Sequence, residues 1–476
     1  MKNILFVNAP SCFASYAGTR VNAVVQVYPL LSHATLAAVA QKEKRNVEIL
    51  DLGMILNWKK ALDDKLRSFK PDMVCMSVTT PLFNEVADIS FMLRQQLGPD
   101  VLLATGGPHA TALPFETLNN SAFDVLIAGE GEEAFRRILI GDSYDGIPGV
   151  YYKEGETVRF TEGYSYVKNL DDLPFPAFDL YDMTKYKCPR ILNRVSPMTN
   201  FMTSRGCVFR CSFCNKNIFG NRIRYKSPEK VIDEIRYMLK AGIREIRFID
   251  DMFTTDMDRA KTICELIIKN NLKFPWTLSA GIRVDRVDLE FLKLAKRAGL
   301  YQVAFGFESG DQASLDSIDK GIKVEQGIKA MELVRQSGLE SVGFFMLGLP
   351  ADTEESIHKT FALAKKLSPT YAKVTVVIPF PGTRLFDQYE KEGRIKSRDW
   401  PLYNLHSVAD IYEHPHLSSE TLDKYYNRFY YEYYLRPGYL AKTFIRTLKD
   451  FTVFHHMYYG LQTFFPKFLS TKPSEL

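Results

Sequence analysis

Three cysteines lie close together in the segment SRGCVFRCSFCNK, at Cys207, Cys211 and Cys214, in a chain that has only seven. A structural zinc site takes four protein ligands, and a cubane that only transfers electrons usually takes four thiolates. Three protein ligands instead leave one metal corner open for a substrate or cofactor. The spacing puts the three thiols in one tight loop that is able to wrap three irons of a [4Fe-4S] cube. A zinc knuckle completed by a distant histidine remains an alternative.

The composition bounds the class of protein. The chain has 476 residues, of which 46% are hydrophobic and 25% charged, which predicts a globular protein of two or three domains. The net charge of +5 is too small to indicate nucleic-acid binding. The N-terminus MKNILFVNAP lacks the pattern of a signal peptide, and polar residues interrupt the uncharged stretch 21–41, so no transmembrane helix is predicted. We expect a cytoplasmic protein.

The first third of the chain alternates apolar strands with helix-length segments. The runs KNILFVN, NVEILD, DMVCMSV, DVLLA and DVLIA predict an α/β fold that opens with a Rossmann-like, doubly wound parallel sheet. The small and polar segments that follow these strands would all lie at one edge of the sheet, where ligands bind. The residues predicted to contact a ligand there are Ser77, Thr79, Gly106, Gly107, Gly129 and Glu130.

Neither the dinucleotide fingerprint nor the P-loop occurs, which favours a large ligand other than NAD or a nucleoside triphosphate. His109 is either a ligand at this edge or a loop residue that hydrogen-bonds its neighbours.

The middle of the chain predicts a second α/β domain. The segments TNFMTS, REIRFID, WTLSAG, QVAFG, SVGFFM and AKVTVV alternate with helical segments and predict a partial (β/α)6 TIM-like barrel. The cysteines follow the first of these strands, at the end where barrels carry their chemistry. We therefore divide the chain into the Rossmann-like domain 1–142, a linker 143–196, the barrel 197–395 and an aromatic-rich helical C-terminal extension 396–476.

These motifs resemble a known family. CVFRCSFC matches the CxxxCxxC signature of the radical S-adenosylmethionine (radical SAM) enzymes, with Phe213 directly before the last cysteine. The preceding domain resembles the cobalamin-binding domain of the branch that includes magnesium-protoporphyrin ester cyclase, hopanoid-modifying enzymes and C-methylases. The resemblance covers roughly residues 1–390. It implies three cofactors, namely a [4Fe-4S] cluster, S-adenosylmethionine and cobalamin.

The resemblance also implies roles for single residues. The three cysteines would ligate the cluster and be catalytic, and Phe213 would border it. Asp250 and Asp251 in FIDDMF would lie near the amino group of S-adenosylmethionine, although capping of the next helix is an alternative role for them. Contacts to the carboxylate or the ribose of S-adenosylmethionine are implied for Arg283 in AGIRVD and Glu308 in FGFESG. A contact to its adenine is implied for Gly348 in FMLGLPADTEES.

The chain departs from the family in one motif. Many cobalamin domains carry Asp-x-His-x-x-Gly, whose histidine binds cobalt, and this motif is absent here. The domain is therefore expected either to bind cobalamin without a protein axial ligand or to have lost that ligand altogether.

The activity that the resemblance implies is reductive cleavage of S-adenosylmethionine to a 5′-deoxyadenosyl radical, followed by C-methylation of an unactivated carbon on a hydrophobic substrate. Oxidative cyclisation or carbon-carbon coupling without methyl transfer is the alternative among enzymes. A zinc-stabilised RNA-binding or scaffold protein is the alternative of another class.

The C-terminal composition bears on the substrate. Beyond residue 400 the chain is dense in Tyr and Phe, interleaved with Lys and Arg. Such segments line a channel for a large apolar molecule, lie at a membrane interface, or pack over the barrel as extra core. We expect a lipid-like or tetrapyrrole substrate, a reduced flavodoxin or ferredoxin as electron donor, no nucleic acid, and peripheral contact with the inner face of the membrane as an open possibility.

Overall fold

A computed structural model describes residues 1–12, 27–188, 193–405 and 408–449. Part of the uncharged stretch near the N-terminus and the aromatic tail 450–476 lie outside the described residues. The described chain forms a seven-stranded sheet that is mostly parallel and a six-stranded parallel sheet, each packed against helices, with a helical extension after the second.

The first sheet has the strand order β2-β1-β3-β4-β5-β6-β7. Strands β1 to β5 are parallel, whereas β6 and β7 form an antiparallel hairpin that pairs with β5. The strands are β1 (Asn3–Asn8), β2 (Asn46–Asp51), β3 (Met73–Ser77), β4 (Leu102–Gly106), β5 (Val125–Ile127), β6 (Val150–Glu154) and β7 (Thr157–Phe160). The helices are α1 (Leu31–Lys42), α2 (Trp58–Phe69), α3 (Phe83–Leu97), α4 (Pro108–Ala112), α5 (Pro114–Asn119) and α6 (Glu132–Ile140).

Both faces of this sheet are buried, as the continuous apolar strands predict. On β1, Leu5 and Val7 pack with residues of α2 and α3, while Ile4 and Phe6 pack with residues of α1 and α6. The doubly wound parallel sheet is therefore confirmed. In the strand order, the connection after β1 runs to β2 on one side, whereas the connection after β3 runs to β4 on the other side. The crevice between these two connections, at the carboxyl ends of β1 and β3, is the expected ligand site of this topology.

The second sheet contains six parallel strands in the order β15-β14-β13-β12-β11-β8, and a two-stranded ribbon lies beside it. The strands are β8 (Met198–Phe201), β9 (Ser204–Arg205), β10 (Arg224–Tyr225), β11 (Glu245–Phe248), β12 (Trp276–Ile282), β13 (Leu300–Glu308), β14 (Glu340–Leu347) and β15 (Tyr371–Val376). The helices are α7 (Pro228–Lys240), α8 (Met257–Lys269), α9 (Leu289–Arg297), α10 (Gln312–Ser317), α11 (Val324–Ser337), α12 (Glu354–Leu367) and α13 (Arg384–Lys391).

The six predicted strands are all present, in the predicted alternation with helices, so the (β/α)6 architecture is confirmed. Side-chain oxygens cap most of the helices, because the first backbone N–H groups of a helix need acceptors. The capping residues are Ser227, Asp256, Asp288, Asp311, Thr353 and Thr383.

The aromatic extension packs as additional core. Helix α14 (Ser419–Tyr434) buries Phe429 and Tyr433 against the barrel, and helix α15 (Pro437–Lys449) follows it. The Tyr434 hydroxyl donates to the Ala372 carbonyl at 2.8 Å and accepts from the Ala372 amide at 3.0 Å, and Tyr430 donates to the carbonyl of Val374. These hydroxyls satisfy backbone groups on the outer edge of β15, which would otherwise be an open sheet edge. Of the three roles left open for the aromatic residues, core packing is the one that this helix shows.

No helix within the described ranges is long and apolar enough to cross a membrane.

Candidate functional site

The cysteine loop is held at its base by the ribbon of β9 and β10. Arg205 pairs with Arg224 and Ser204 with Tyr225, so the loop leaves and re-enters the domain at one place. Gly206 begins the loop at φ +91°, and a Cβ there would collide with the carbonyl oxygen of Arg222. Only glycine fits this conformation and this space. The ribbon therefore fixes where the three cysteines emerge, directly after the first barrel strand.

The three thiols are accessible. Cys207 and Cys211 are half-buried and Cys214 is exposed, and none of the three thiols is hydrogen-bonded to another described residue. Burial raises the pKa of Cys211, and the charge of Lys320 opposes that rise. No three His, Cys, Asp or Glu side chains in the described ranges are grouped closely enough to hold a single metal ion. A cubane takes one thiolate on each of three irons, and three free thiols on one loop match that demand.

Asp250 and Asp251 lie beneath the loop, directly after β11. The Oδ1 atom of Asp250 accepts from the Thr203 amide at 2.9 Å, the Thr203 hydroxyl at 2.7 Å and the Ser204 hydroxyl at 2.6 Å. Asp251 Oδ2 accepts from the amide of Gly206 at 3.1 Å. Asp256, and neither Asp250 nor Asp251, caps helix α8, so the alternative role suggested for these two carboxylates is wrong. Both aspartates instead anchor the entry of the cysteine loop.

One oxygen of Asp250 has no partner. Asp250 is 4% exposed, and its Oδ2 atom is buried without a hydrogen bond to any described residue. Burial raises the pKa of Asp250, although the hydrogen bonds from Ser204 and Thr203 oppose this. A buried oxygen without a donor is costly, and an ammonium group of a bound cofactor would supply one. This oxygen is consistent with the contact that the sequence predicts for Asp250.

Arg283 braces the loop from the side. Its guanidinium carbon lies 3.6 Å from the centroid of the Phe209 ring, within the cysteine loop. Its nitrogen atoms donate to Asp285 and to the carbonyls of Lys320 and Gly321, at distances from 2.7 to 3.2 Å. The guanidinium of Arg283 thus makes four hydrogen bonds and packs on the face of one aromatic ring. Arg283 therefore links the cysteine loop to the segment after α10.

Glu308 lies at the end of β13 and pairs with a lysine that sequence reasoning missed. Lys320 Nζ donates to Glu308 Oε1 at 2.5 Å, both residues are buried, and the ammonium lies 6.0 Å from the centroid of the Phe213 ring. Burial lowers the pKa of Lys320, but Glu308 and Cys211 outweigh it and the pKa lies above the ordinary value. No motif marks Lys320, because its role depends on a contact with Glu308 twelve positions away, on the other side of α10, rather than on its immediate neighbours in sequence.

Gly348 lies farther from the cysteine loop, in the turn after β14. It has φ +79°, and its amide donates to Asp352 Oδ2 at 2.9 Å. A Cβ at this position would lie 3.3 Å from atoms of Leu422 and Tyr412, which belong to the C-terminal extension. The structure thus places Gly348 under the extension, and its predicted contact with adenine stays a prediction.

The predicted cobalamin-binding residues lie at the carboxyl ends of β3, β4 and β5. A Cβ on Gly107, which has φ +100°, would lie 2.7 Å from Ser77 Oγ, so these two loops touch and admit only glycine. A Cβ on Gly106 would meet the carbonyl oxygen of Ile127 at 3.0 Å, and one on Gly129 would meet the Tyr164 ring at 2.7 Å. Thr79 is exposed beside this edge. The small residues predicted from sequence do lie along one edge of the first sheet.

His109 and His33 are packing residues. His109 is fully buried, with its ring 4.4 Å from that of Phe83 and 5.3 Å from that of Trp400. Burial lowers the pKa of each histidine to about 4. The structure places His109 in helix α4 rather than in a loop, with its Nδ1 atom 3.4 Å from the Thr80 hydroxyl. The expectation that cobalamin is bound without a protein axial ligand, or that the ligand has been lost altogether, stays a prediction.

Glu130 connects the two domains. Its carboxylate is fully buried and binds the guanidinium of Arg224, with one N–O distance of 2.9 Å, and a nitrogen of Arg205 lies 3.4 Å away. Arg205 also binds Glu132 at 2.5 Å. Burial raises the pKa of Glu132, but Arg205 more than offsets this and the pKa lies below the ordinary value. The ligand edge of the first sheet is thus joined by ion pairs to the ribbon beneath the cysteine loop.

This junction leads to a stability prediction. Glu130→Gln leaves the largely buried Arg224 without a counter-charge and removes one of the two carboxylates beside Arg205, which keeps its pair with Glu132, and we expect this to cost roughly 3–5 kcal/mol of unfolding free energy. The measurement is the midpoint of urea unfolding of the full chain. Glu133→Gln is the matched control, since Glu133 pairs with Arg136 at the surface, where such a pair is worth about 0–1 kcal/mol. Equal midpoints for the two variants would contradict the structural role assigned to Glu130.

The structure therefore brings most predicted residues to one place and sets one apart. The cysteine loop, Asp250, Asp251, Arg283 and Glu308 converge at the carboxyl ends of the barrel strands, and the Gly-rich edge of the first sheet meets them through Glu130. Gly348 is the predicted residue that lies under the C-terminal extension.

Comparisons with known proteins agree with this arrangement. A family model described as the radical SAM superfamily matches residues 201–364, and one described as a B12 binding domain matches residues 19–139. An uncharacterized methyltransferase of Pyrococcus horikoshii is 33% identical over 422 residues, which cover 87% of this chain and 89% of that relative. The anaerobic magnesium-protoporphyrin IX monomethyl ester cyclase of Cereibacter sphaeroides is 28% identical over 384 residues, covering 78% of this chain and 61% of the cyclase.

A solved structure shares the fold. The radical S-adenosylmethionine methyltransferase TsrM from Kitasatospora setae, determined with cobalamin and a [4Fe-4S] cluster bound, has a TM-score of 0.66 and 19% identity. The match covers 82% of this chain and 75% of TsrM.

Proposed function

The chain belongs to the cobalamin-dependent branch of the radical SAM superfamily, and on that premise we propose that it methylates an unactivated carbon of a small molecule. The protein is an enzyme whose cofactors are a [4Fe-4S] cluster, S-adenosylmethionine and cobalamin. Bound together, these groups supply one-electron reduction, removal of a hydrogen atom from carbon, and a transferable methyl group. The observation that carries the proposal is the ion-paired junction of Glu130 and Glu132 with Arg205 and Arg224, which sets the ligand edge of the first sheet against the cysteine loop.

The residues of this chain have distinct tasks in that proposal. Cys207, Cys211 and Cys214 would hold the cluster, and Asp250 would orient the amino group of S-adenosylmethionine through its unpartnered oxygen. The aromatic ring of Phe213 and the ion pair of Lys320 with Glu308 border the loop. Ser77 and the glycines at the carboxyl ends of β3 to β5 would let cobalamin approach the backbone closely, together with Thr79. These assignments are supported by geometry and by motif.

The finer substrate proposal is a hydrophobic molecule, lipid-like or tetrapyrrole, with reduced flavodoxin or ferredoxin as the electron donor. Helix α14 gives it little support, because most of its aromatic side chains are buried against the barrel, where Tyr430 and Tyr434 donate to carbonyls of β15. Support comes instead from Phe344 on β14, an apolar side chain of the barrel sheet that is partly exposed. Oxidative cyclisation without methyl transfer is the second candidate, because the cyclase relative is 28% identical over 78% of this chain.

An isotope label in the methyl group of S-adenosylmethionine distinguishes the two reactions, because only methylation transfers that group to the product. The reconstituted full chain is incubated anaerobically with methyl-deuterated S-adenosylmethionine, a strong reductant and a small-molecule cell extract, and products are followed by mass spectrometry. We expect deuterium in a low-mass product that forms only with the wild-type protein and reductant. A product that has lost hydrogen and carries no label would favour cyclisation. Absence of both the product and 5′-deoxyadenosine, from protein with a full cluster, would contradict the proposal.

A further inference from the structure

Arg259, in the first turn of α8, holds the base of the cysteine loop from behind. Its Nε atom donates to the carbonyl of Lys226 at 2.9 Å, and its Nη2 atom donates to the carbonyl of Thr203 at 2.9 Å. The Lys226 amide donates to the same Thr203 carbonyl at 2.9 Å. Thr203 precedes β9 and Lys226 follows β10, so the guanidinium joins the two chain segments on which the ribbon is built.

This arginine is buried without a direct counter-charge. Arg259 is 8% exposed and forms no ion pair with any residue in the described ranges. Its Nη1 atom is buried without a hydrogen-bond partner there, and the guanidinium carbon lies 5.0 Å from the ring centroid of Tyr225. Burying an unpaired charge is costly, so an opposite charge close by is expected to compensate for it.

Asp250 is that opposite charge. The two residues share Thr203, whose amide and hydroxyl donate to Asp250 Oδ1 while its carbonyl accepts from Arg259. Burial lowers the pKa of Arg259, and the charge of Asp250 is the largest influence that opposes this. Burial raises the pKa of Asp250, and the hydrogen bonds at Oδ1 together with the charge of Arg259 oppose that rise. Each charge therefore stabilises the other through a shared residue rather than through a direct bond.

The other charged or titratable groups around Asp250 are committed elsewhere. The ammonium of Lys226 binds the buried carboxylate of Glu234. Burial raises the pKa of the Tyr225 phenol, which stays neutral at physiological pH. Asp251 carries a like charge and accepts from the first backbone amide of the cysteine loop. The guanidinium on α8 is thus the cation that remains to balance this carboxylate.

An indirect counter-charge leaves one carboxylate oxygen available. A direct ion pair with Arg259 would occupy Asp250 Oδ2, whereas this oxygen is buried without a partner among the described residues. A carboxylate that is kept ionised and has one free oxygen suits an incoming ammonium group, because charge-assisted hydrogen bonds are the strong ones.

We propose that Arg259 is a positioning residue for cofactor binding, which holds Thr203 and supplies the counter-charge of Asp250, so that Asp250 Oδ2 stays free for the amino group of S-adenosylmethionine. The inference rests on the proposed function for the role of Asp250, and it adds a residue on α8 that acts through that carboxylate.

The test is the pH dependence of the Kd for S-adenosylmethionine. Calorimetric titrations from pH 8 to pH 6 use the full chain with its cluster and cobalamin. Binding of an ammonium needs ionised Asp250, so affinity falls as the pH decreases through the pKa of this group. Removal of a neighbouring cation raises that pKa. For Arg259→Met we therefore expect a roughly tenfold higher Kd at pH 6 and a smaller change at pH 8, as one unit of pKa shift gives.

Two further variants separate charge from fold. Arg259→Lys keeps the charge and is expected to follow the wild-type pH profile. Arg236→Met is the matched control, because Arg236 pairs with Asp233 at the surface of α7, and it should also keep that profile. A loss of affinity in Arg259→Met that is the same at every pH, or an equal loss in Arg259→Lys, would show that Arg259 only supports the ribbon and would overturn the proposal.

The double variant Asp250→Asn/Arg259→Met decides the question if Arg259→Met fails to fold or to hold iron. It removes both buried charges together, so we expect it to recover the urea midpoint and iron content that Arg259→Met loses. If Arg259→Met does fold, it should not raise the Kd further in the Asp250→Asn background, because no charge is left to balance. Absence of recovery, or an undiminished effect in that background, would contradict the proposal.

These measurements need no turnover. Failure of the methyl-label experiment with the pH shift intact would remove the proposed reaction and leave the role of Arg259, and the reverse result would remove only that role.

Discussion

Cys211→Ala is expected to lose the cluster and, with it, all reductive cleavage of S-adenosylmethionine. The cysteine loop offers three thiols, and the loss of one leaves two ligands for a cube that needs three protein contacts. The fall in 5′-deoxyadenosine should exceed the roughly 10–100-fold that removal of an outer-shell contact costs a metal site. Iron and sulfide content and the yield of 5′-deoxyadenosine, measured on one anaerobically reconstituted sample, check the prediction.

Cys264→Ala is the matched control for this experiment. Cys264 belongs to the same barrel domain, but it is buried in the core on α8, outside the cysteine loop. We expect this variant to keep its iron, sulfide and 5′-deoxyadenosine. Retention of the cluster by Cys211→Ala, or equal loss in both variants, would refute the assignment of the loop. Zinc in place of iron in the wild-type protein would revive the scaffold alternative.

The architecture could be predicted from sequence because it depends on local patterns. Continuous apolar runs separated by helix-length segments indicate buried parallel strands whatever their partners are, and both sheets follow that rule. The edge at which ligands bind follows from the direction of the strands alone. The cysteines could be found for a similar reason, since all three lie within eight positions of one loop.

The contacts that complete the site could not be predicted in this way. Glu130 was identified as part of a ligand edge, yet its carboxylate is bound by Arg224, which lies 94 positions away. Lys320 meets Glu308 across a turn that no periodicity describes. Side-chain pairing between distant segments depends on how two domains and their loops pack, and a single sequence contains no signal for it. The aromatic extension was ambiguous because its composition suits a core, a channel and an interface equally well.

Asp250→Asn is expected to weaken the binding of S-adenosylmethionine and leave the cluster in place. The amide oxygen of asparagine is able to accept from Thr203 and Ser204 as Oδ1 does now, so the base of the cysteine loop should keep its shape. The variant removes the negative charge and the acceptor at Oδ2, the buried oxygen without a partner. One charge-assisted contact is worth about 1.5–3 kcal/mol, which corresponds to roughly a 10–150-fold higher Kd.

Calorimetric titration of S-adenosylmethionine into the reconstituted protein measures that Kd. Iron content, measured on the same sample, shows whether the cysteine loop still holds the cluster. Asp250→Ala is the informative comparison, because it removes the anchor as well as the charge and should lower both affinity and iron content. An unchanged Kd in Asp250→Asn would show that the unpartnered oxygen faces no cofactor group and that Asp250 only anchors the loop. Loss of iron in Asp250→Asn would show that the negative charge is itself required to hold the Thr203 and Ser204 donors, since geometry alone is preserved.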